Sequence, residues 1–284
     1  MDGILLVDKP AGPTSNAVVG AFRAILGTRA VGHAGTLDPQ ATGLLVLALG
    51  HATRWLPYLP GDKSYRATVR LGLATDTQDI WGRETHRLDA PAPAPEAFKA
   101  ALESLTDLRE QTVPMVSAVK HEGRRLYALA REGVEVERAP RPVKVTAVRV
   151  LALRGLEADF EVDCGAGTYV RTLCVEAGRR LGLFACLSAL KRTASGGFSV
   201  EGALPCDHWA LENVRAALLD SGAALGHLPQ RALNADEALA VRHGRPLPHA
   251  DAINGTWRLT CDGRLLSLAE AAPGILRPKR VFAD

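Results

Sequence analysis

The residues whose types and spacing could do chemistry lie in one run, Gly32-His33-Ala34-Gly35-Thr36-Leu37-Asp38-Pro39-Gln40-Ala41-Thr42-Gly43. Its three glycines permit backbone angles that other residues avoid. Pro39 biases Asp38 away from the helical region. The run leads directly into residues 44–49, a continuous apolar stretch that reads as a buried central strand. One carboxylate on a stiff loop anchored by a core strand suits a positioned nucleophile or general base. Two ordinary readings compete. The glycines could cradle a phosphate, but no G-x-x-x-x-G-K-[ST] pattern is present, since His33 and Ala34 follow Gly32. Asp38 could also be a turn residue ahead of a proline, and the loop alone does not separate that from catalysis.

Several elements must position this loop. Residues 4–7 form an apolar strand ended by Pro10 and Gly12. Ser15 or Asn16 can cap a helix whose apolar face is Val18, Phe22, Ile25 and Leu26, with Gly27 at its stop. Residues 28–43 read as polar loop throughout. Residues 64–71 alternate strictly: Tyr65, Ala67, Val69 and Leu71 share one face, and Arg66, Thr68 and Arg70 a basic outer face. A Pro-rich loop at 89–95 precedes a helix with Phe98, Ala101, Leu102 and Leu105 inside. Strands are expected near 115–120, 142–152 and 157–164, a helix over 168–181 ending at Gly182, and another after Asp207. Without a regular βαβα beat, the fold class is α+β, with a mixed, largely antiparallel sheet flanked by helices. After Pro229 the texture changes. A hairpin turning at Asp262-Gly263 and a basic last strand in LRPKRVF suggest a division into a domain over 1–229 and a small β-rich domain over 230–284. The alternative is an extension packed on the main domain.

Composition narrows the function classes. The chain has 284 residues, 47% hydrophobic and 23% charged, enough for a sizeable core and typical of a globular protein. No stretch approaches the roughly 20 apolar residues that span a bilayer. The start, with an early acid and no basic segment, reads as a first strand rather than a signal peptide, so a cytoplasmic location is the expectation. Five cysteines without a CxxC pair, and eight histidines without metal-ligand spacing, suggest neither disulfide framework nor metal site. Asp76 and Asp79 in TDTQD could hint at magnesium, but a polar loop after a strand is the simpler reading. Net charge is only +3, yet unevenly spread. Residues 120–154 carry nine Lys/Arg against four acids, and residues 72–112 carry eight acids against four bases. A basic surface beside an acidic one suits a polyanion bound on one side, although a mixed solvated surface would look similar.

GHAGTLDPQATGLL closely resembles the signature loop of the bacterial tRNA pseudouridine-55 synthases, the TruB family. GILLVDKPAGPTSN, KSYRATVRLGLATDTQDIWG, PMVSAVKHEGRRLYALAREG and CGAGTYVRTLCVEAGRRLG are similar to further family segments, in the family's order, over roughly residues 3 to 215. The resemblance implies roles for individual positions. Asp38 matches the essential aspartate, Tyr65 the tyrosine that stacks on the target base and helps move a proton, and Arg171 the arginine that pairs with the aspartate. His33 matches a histidine filling the space a flipped nucleotide leaves. Tyr169 and Leu190 match residues lining the uracil pocket, and Lys9 and Pro10 a pair that supports the loop. Residues 230–284 loosely resemble a PUA domain, an RNA-binding β module. Without the resemblance, Tyr65, Tyr169 and Leu190 read as packing, Arg171 as a structural ion-pair partner, and His33 as a brace for its own loop.

The implied reaction breaks a C–N glycosidic bond, turns the uracil and rejoins it through C5. Nothing is oxidised or lost, so no cofactor is expected. Asp38 would either attack covalently or remove a sugar proton. Arg171 would serve as a fixed counter-charge, so an Asp38–Arg171 ion pair is expected. The partner implied is the T-arm of tRNA, with no protein partner required and a monomer as the default. Basic residues in 120–154, with Arg66 and Arg70, would contact phosphates. The competing readings are a guide-RNA-dependent synthase of the dyskerin type and a non-catalytic RNA-binding or RNA-folding protein.

Overall fold

The computed structural model describes residues 1–250 and 253–282. Its elements in chain order are β1 (Gly3–Lys9), α1 (Ser15–Leu26), β2 (Val31–His33), β3 (Thr42–Leu49), β4 (Lys63–Leu71), β5 (Leu73–Thr75), β6 (Glu84–Arg87), α2 (Pro95–Glu103) and α3 (Leu126–Arg131). There follow β7 (Val145–Arg154), β8 (Glu157–Cys164), α4 (Val170–Arg180), β9 (Ala185–Ser195), α5 (Leu211–Ala217) and α6 (Ser221–Leu225). The last part holds β10 (Gln230–Ala232), α7 (Ala235–Arg242), β11 (Leu247–Pro248), β12 (Gly255–Cys261), β13 (Arg264–Ala272) and β14 (Ile275–Val281).

The main sheet runs β1-β3-β9-β4-β8-β7, and β2 pairs with β3. Every pair along this path is antiparallel except β3 with β9, which is parallel through Lys191↔Thr42 and Arg192↔Gly43. The sheet is thus mixed and largely antiparallel, as the sequence implied. One face buries Leu5, Leu45, Val69, Phe160 and Leu187 under α1, α2 and α4, which supply Phe22, Phe98 and Leu173. Period-2 alternation decides this for β4: Tyr65, Ala67, Val69 and Leu71 are buried, and Arg66 is exposed on the opposite face. There Arg70 pairs with Glu157, and Arg154 with Asp159, across the strands.

α1 begins differently from expectation. Its N-cap is Thr14, whose hydroxyl accepts from Ala17 N–H at 3.0 Å, rather than Ser15 or Asn16. Ser15 is buried because it serves the catalytic-type loop described below. Gly27 ends the helix in the left-handed region at φ 61°, the conformation a C-cap glycine provides. Residues 28–43 are not loop throughout, since β2 lies within them and β3 starts at Thr42. Residues 115–118 form bends, and the expected strand is reduced to the short pair Lys120–His121 with Arg124–Arg125. β9, which no sequence pattern indicated, occupies the sheet's centre.

The C-terminal sheet runs β10-β12-β13-β14-β11 and encloses its own core of Val241, Trp257, Leu259, Leu266 and Leu276. The β12–β13 turn is at Asp262 (φ 50°) and Gly263 (φ 76°), both left-handed as the tight hairpin demands. This unit also docks on the main sheet. Leu268 and Phe282 join Ile4, Leu44, Val46 and Trp55 in a second core, where Phe282 meets Trp55 edge-on at 6.3 Å. Among the described residues no helix is long and apolar enough to cross a membrane.

Candidate active site

Asp38 sits between β2 and β3, on a loop held from three sides. Lys9, at the end of β1, is fully buried and its ammonium donates to the carbonyls of Pro10 (2.8 Å), Pro13 (2.9 Å) and Pro39 (3.2 Å). The Ser15 hydroxyl donates to Leu37 O at 3.0 Å and accepts from Leu37 N–H at 2.8 Å. Arg192, buried in β9, donates to the carbonyls of Leu44 (2.7 Å), Gly35 (3.0 Å) and Thr36 (3.4 Å). Leu37 is buried beneath, and Ala41 N–H donates to Asp38 O at 3.1 Å to close the turn. Gly43 is required where the loop enters β3. Its φ is 97°, and a Cβ would lie 2.3 Å from the Arg192 carbonyl oxygen.

Arg171 comes from the first turn of α4 and is 2% exposed. Its Nε lies 2.9 Å from Asp38 Oδ2, and its Nη2 donates to Asp38 Oδ1 at 3.3 Å. The remaining N–H groups fix the fork: Nη1 donates to Thr77 O at 2.6 Å and Nη2 to Val116 O at 2.8 Å. Asp79 stands 3.9 Å behind the same guanidinium. Burial raises its carboxyl, opposed by Thr77 and Arg171. Gln40, two residues past Asp38, donates to Asp79 at 2.8 Å and ties the two loops together. Asp76 and Asp79 therefore do different jobs: Asp76 accepts from Arg83 N–H, and Asp79 belongs to this network. Among the described residues no group of three His, Cys, Asp or Glu side chains is placed to hold a metal ion.

A cavity of about 240 Å³ opens above this pair. Its lining brings together Asp38, Tyr65, Tyr169, Arg171 and Leu190, with Lys63 and Ser117. Tyr65 is buried, which pushes its phenol up to about 12, with the neighbouring Arg192 charge opposing. A hydroxyl so placed stays protonated at neutral pH. Tyr169 is fixed at the start of α4 by Gln111, which accepts from its N–H (2.8 Å) and donates to its carbonyl (3.0 Å). Its ring lies 6.0 Å from the Arg171 guanidinium. Leu190 adds an apolar wall.

His33 is not among the lining residues. It sits at the end of β2, where its Nδ1 accepts from Gly35 N–H at 3.3 Å, and burial lowers its pKa so that the ring is neutral. Arg66 and Arg70 project from the sheet face opposite Tyr65, and Arg70 is occupied by Glu157. Sequence reasoning missed Arg192, Ser15 and Asp79 as members of the site. Arg192 stands two residues past Leu190, which puts both on one face of β9, but with that strand unrecognised the spacing carried no signal.

The first part of the chain, residues 23–170, matches the family model described as TruB family pseudouridylate synthase (N terminal domain). Residues 229–282 match the model described as pseudouridine synthase II TruB, C-terminal. A protein of Aromatoleum aromaticum named tRNA pseudouridine synthase B is 43% identical, covering 100% of this chain and 93% of its own. Its namesakes in Thiobacillus denitrificans (42%; 100% and 96% covered) and Mycobacterium sp. strain KMS (43%; 95% and 93%) are similar. Among solved structures, a Cbf5-Nop10-Gar1 complex contains a chain with TM-score 0.75 and 28% identity, covering 99% of this chain and 85% of that one. An H/ACA RNP bound to a substrate RNA containing 2′-deoxyuridine matches with TM-score 0.74 and 25% identity, at 99% and 85% coverage. A carboxylate loop clamped from three sides, an arginine on that carboxylate and full-length relatives of one kind together place the chain in the TruB family of pseudouridylate synthases.

Proposed function

We propose that this enzyme converts uridine 55 in the T loop of tRNA to pseudouridine, with Asp38 as its nucleophile or base. The observation that carries the reading is the Asp38–Arg171 pair, at 2.9 Å, on the floor of a cavity walled by Tyr65, Tyr169 and Leu190. The relatives' shared name, at 42–43% identity along the whole chain, supports tRNA as the substrate.

A base inside a folded loop is out of reach, so the uridine flips outward at a cost of a few kcal/mol. The neutral His33 ring fills the vacated space. In one route Asp38 attacks C1′ as the C1′–N1 bond breaks. In the other it removes a sugar proton and leaves a glycal. In both, the freed uracil turns against Tyr65, Tyr169 and Leu190, held by stacking of about 1–3 kcal/mol. C5 then bonds to C1′, as the Asp38–C1′ bond breaks in the first route or as Asp38 returns the proton to the sugar carbon in the second; the C5 proton passes to solvent and N1 takes one up. The Tyr65 phenol, protonated far above neutral pH, acts as a stacking face and proton relay rather than as a resident phenolate. The changes balance without any electron donor or acceptor. Lys120, Arg124, Arg125, Arg141 and Lys144, in the basic stretch, would hold the phosphates that position the RNA. Residues 1–229 carry catalysis in this reading, and the PUA-like part over 230–284 adds RNA contacts.

The test uses an unmodified tRNA transcript with tritium at uridine C5, without metal, cofactor or guide RNA. Release near one equivalent, confined to the T loop and abolished by Asp38→Asn, is the expected outcome. Tight binding without release would refute catalysis on bare tRNA. The second reading is a guide-RNA-dependent enzyme, kept because a chain of an RNP bound to a substrate RNA shares this fold over 99% of the present chain. Release only on adding a guide would establish it.

A further inference from the structure

Lys63 opens β4 two residues before Tyr65, so both side chains lie on one sheet face, roughly 7 Å apart along the strand. It lines the same cavity as Asp38. Its surroundings balance its charge only in part. The ammonium donates to Gly61 O at 2.7 Å, and among the described residues no carboxylate forms an ion pair with it. Asp62, its neighbour in sequence, is exposed. Burial and the Arg192 charge act against its ionised form and prevail over the Asp62 carboxylate, which acts for it. A half-buried ammonium held by one neutral carbonyl, with no carboxylate in contact among the described residues, is short of the compensation that burial calls for.

The other cations do not supply the missing balance. Lys9 and Arg192 are held by backbone carbonyls, three each. Arg171 faces Asp38 and Asp79. Two cations, Lys63 and Arg171, therefore line the cavity beside one carboxylate, Asp38, leaving an excess of positive charge beside the reacting position. The excess is accessible at Lys63, because its wall is built of small residues. A Cβ on Gly35 would lie 3.2 Å from Lys63 Cε, and nothing approaches within 4 Å of a Cβ on Gly167, another lining residue.

We infer that the Lys63 ammonium clamps the phosphodiester attached to the target nucleotide, fixing the sugar over Asp38 while the base lies against Tyr65. The inference rests on the RNA reading above. A nucleotide in the cavity brings one anion of its own, the phosphate. The Lys63–Tyr65 spacing is of the same order as that between a nucleotide's phosphate and its base. Lys63 is thus a substrate-positioning group on the same strand as the stacking tyrosine.

The experiment measures binding of an unmodified tRNA transcript by Asp38→Asn protein, with and without Lys63→Met, over a series of salt concentrations. Losing one phosphate contact should weaken binding about tenfold. It should also flatten the plot of log K against log salt by about 0.7–0.9. Lys63→Arg should restore the slope. Lys99→Met, an exposed side chain of α2 that does not line the cavity, should leave it unchanged. With Asp38 intact, Lys63→Met should raise KM and leave kcat largely in place. Weaker binding with an unchanged salt slope would overturn the phosphate assignment, as would unchanged affinity. Circular dichroism checks folding, and Lys63→Gln replaces Lys63→Met if the latter unfolds. Failure of the wild type to bind or turn over tRNA would instead refute the proposed function, which separates the two outcomes.

Discussion

Arg171 meets Asp38 through Nε and Nη2 and uses its other donors on Thr77 and Val116. A lysine there would keep the charge but lose the fork. Arg171→Lys should bind tRNA normally and lose activity by about a hundredfold or more, as when an oriented donor is removed from a reacting centre. Single-turnover tritium release checks this, and near-normal turnover would refute it. Lys9 offers a second test at the same scale. Burial brings its ammonium down to about 8 from an ordinary 10.5, although Asp38 opposes the shift. Below pH 8 both folded and unfolded chains carry the proton, and the folded state bears the full cost of the buried charge. Between about 8 and 10.5 the unfolded chain binds more proton, so stability rises with pH there. Lys9→Met lacks this contribution. Urea denaturation should therefore show the stability difference moving in favour of the wild type across that window, and a constant difference would contradict it. Asp38 stood out in the sequence because its glycines and proline announce a stiff loop. Arg171 carried no such mark, since an arginine in a helix's first turn is common, and only its approach to Asp38 across 133 positions gives it meaning.

At the scale of elements, α1 is tied to the loop by a single hydroxyl. Ser15 Oγ bonds both the N–H and the carbonyl of Leu37. Ser15→Ala would leave both buried groups unpaired, at about 1–3 kcal/mol, and loosen the residue next to Asp38. The expected result is a lowered melting temperature together with a lowered kcat. Loss of stability with full kcat would show that the loop holds its shape without α1. The hydroxyl looked like a helix cap in the sequence because capping and bracing use the same residue types. β4 was legible because its alternation is unbroken. β9 was not, because register shifts at Leu187/Ala189 and Arg192/Ala194 interrupt the period-2 pattern. Bulges of this kind re-aim side chains near active sites, so the irregularity that hid the strand accompanies the placing of Leu190 and Arg192.

For the molecule as a whole, the seam between the two sheets is the main feature that local pattern did not reveal. The Asp262-Gly263 hairpin was readable from its turn residues, but Leu268 and Phe282 look like any small domain's core. They pack instead against Trp55 and the outer face of β1 and β3. Phe282→Ala should cost about 3 kcal/mol and lower one cooperative transition in calorimetry, because both sheets share this core. A lowered C-terminal transition beside an unmoved main one would show that the units melt independently.

β3 and β4 follow one another in the chain, yet β9 lies between them in the sheet. The strands that carry Asp38's loop and Tyr65 are joined only by a segment that emerges from the ribosome more than a hundred residues later. Contacts of such long sequence separation form late and slowly. A nascent chain that has reached only Gly182 has no partner for the inner edges of β3 and β4 and no Arg192 for the carbonyls of Gly35 and Thr36. Catalytic competence is therefore acquired late in synthesis, and partial chains present two unfilled strand edges, which are surfaces on which aggregation or chaperone binding acts.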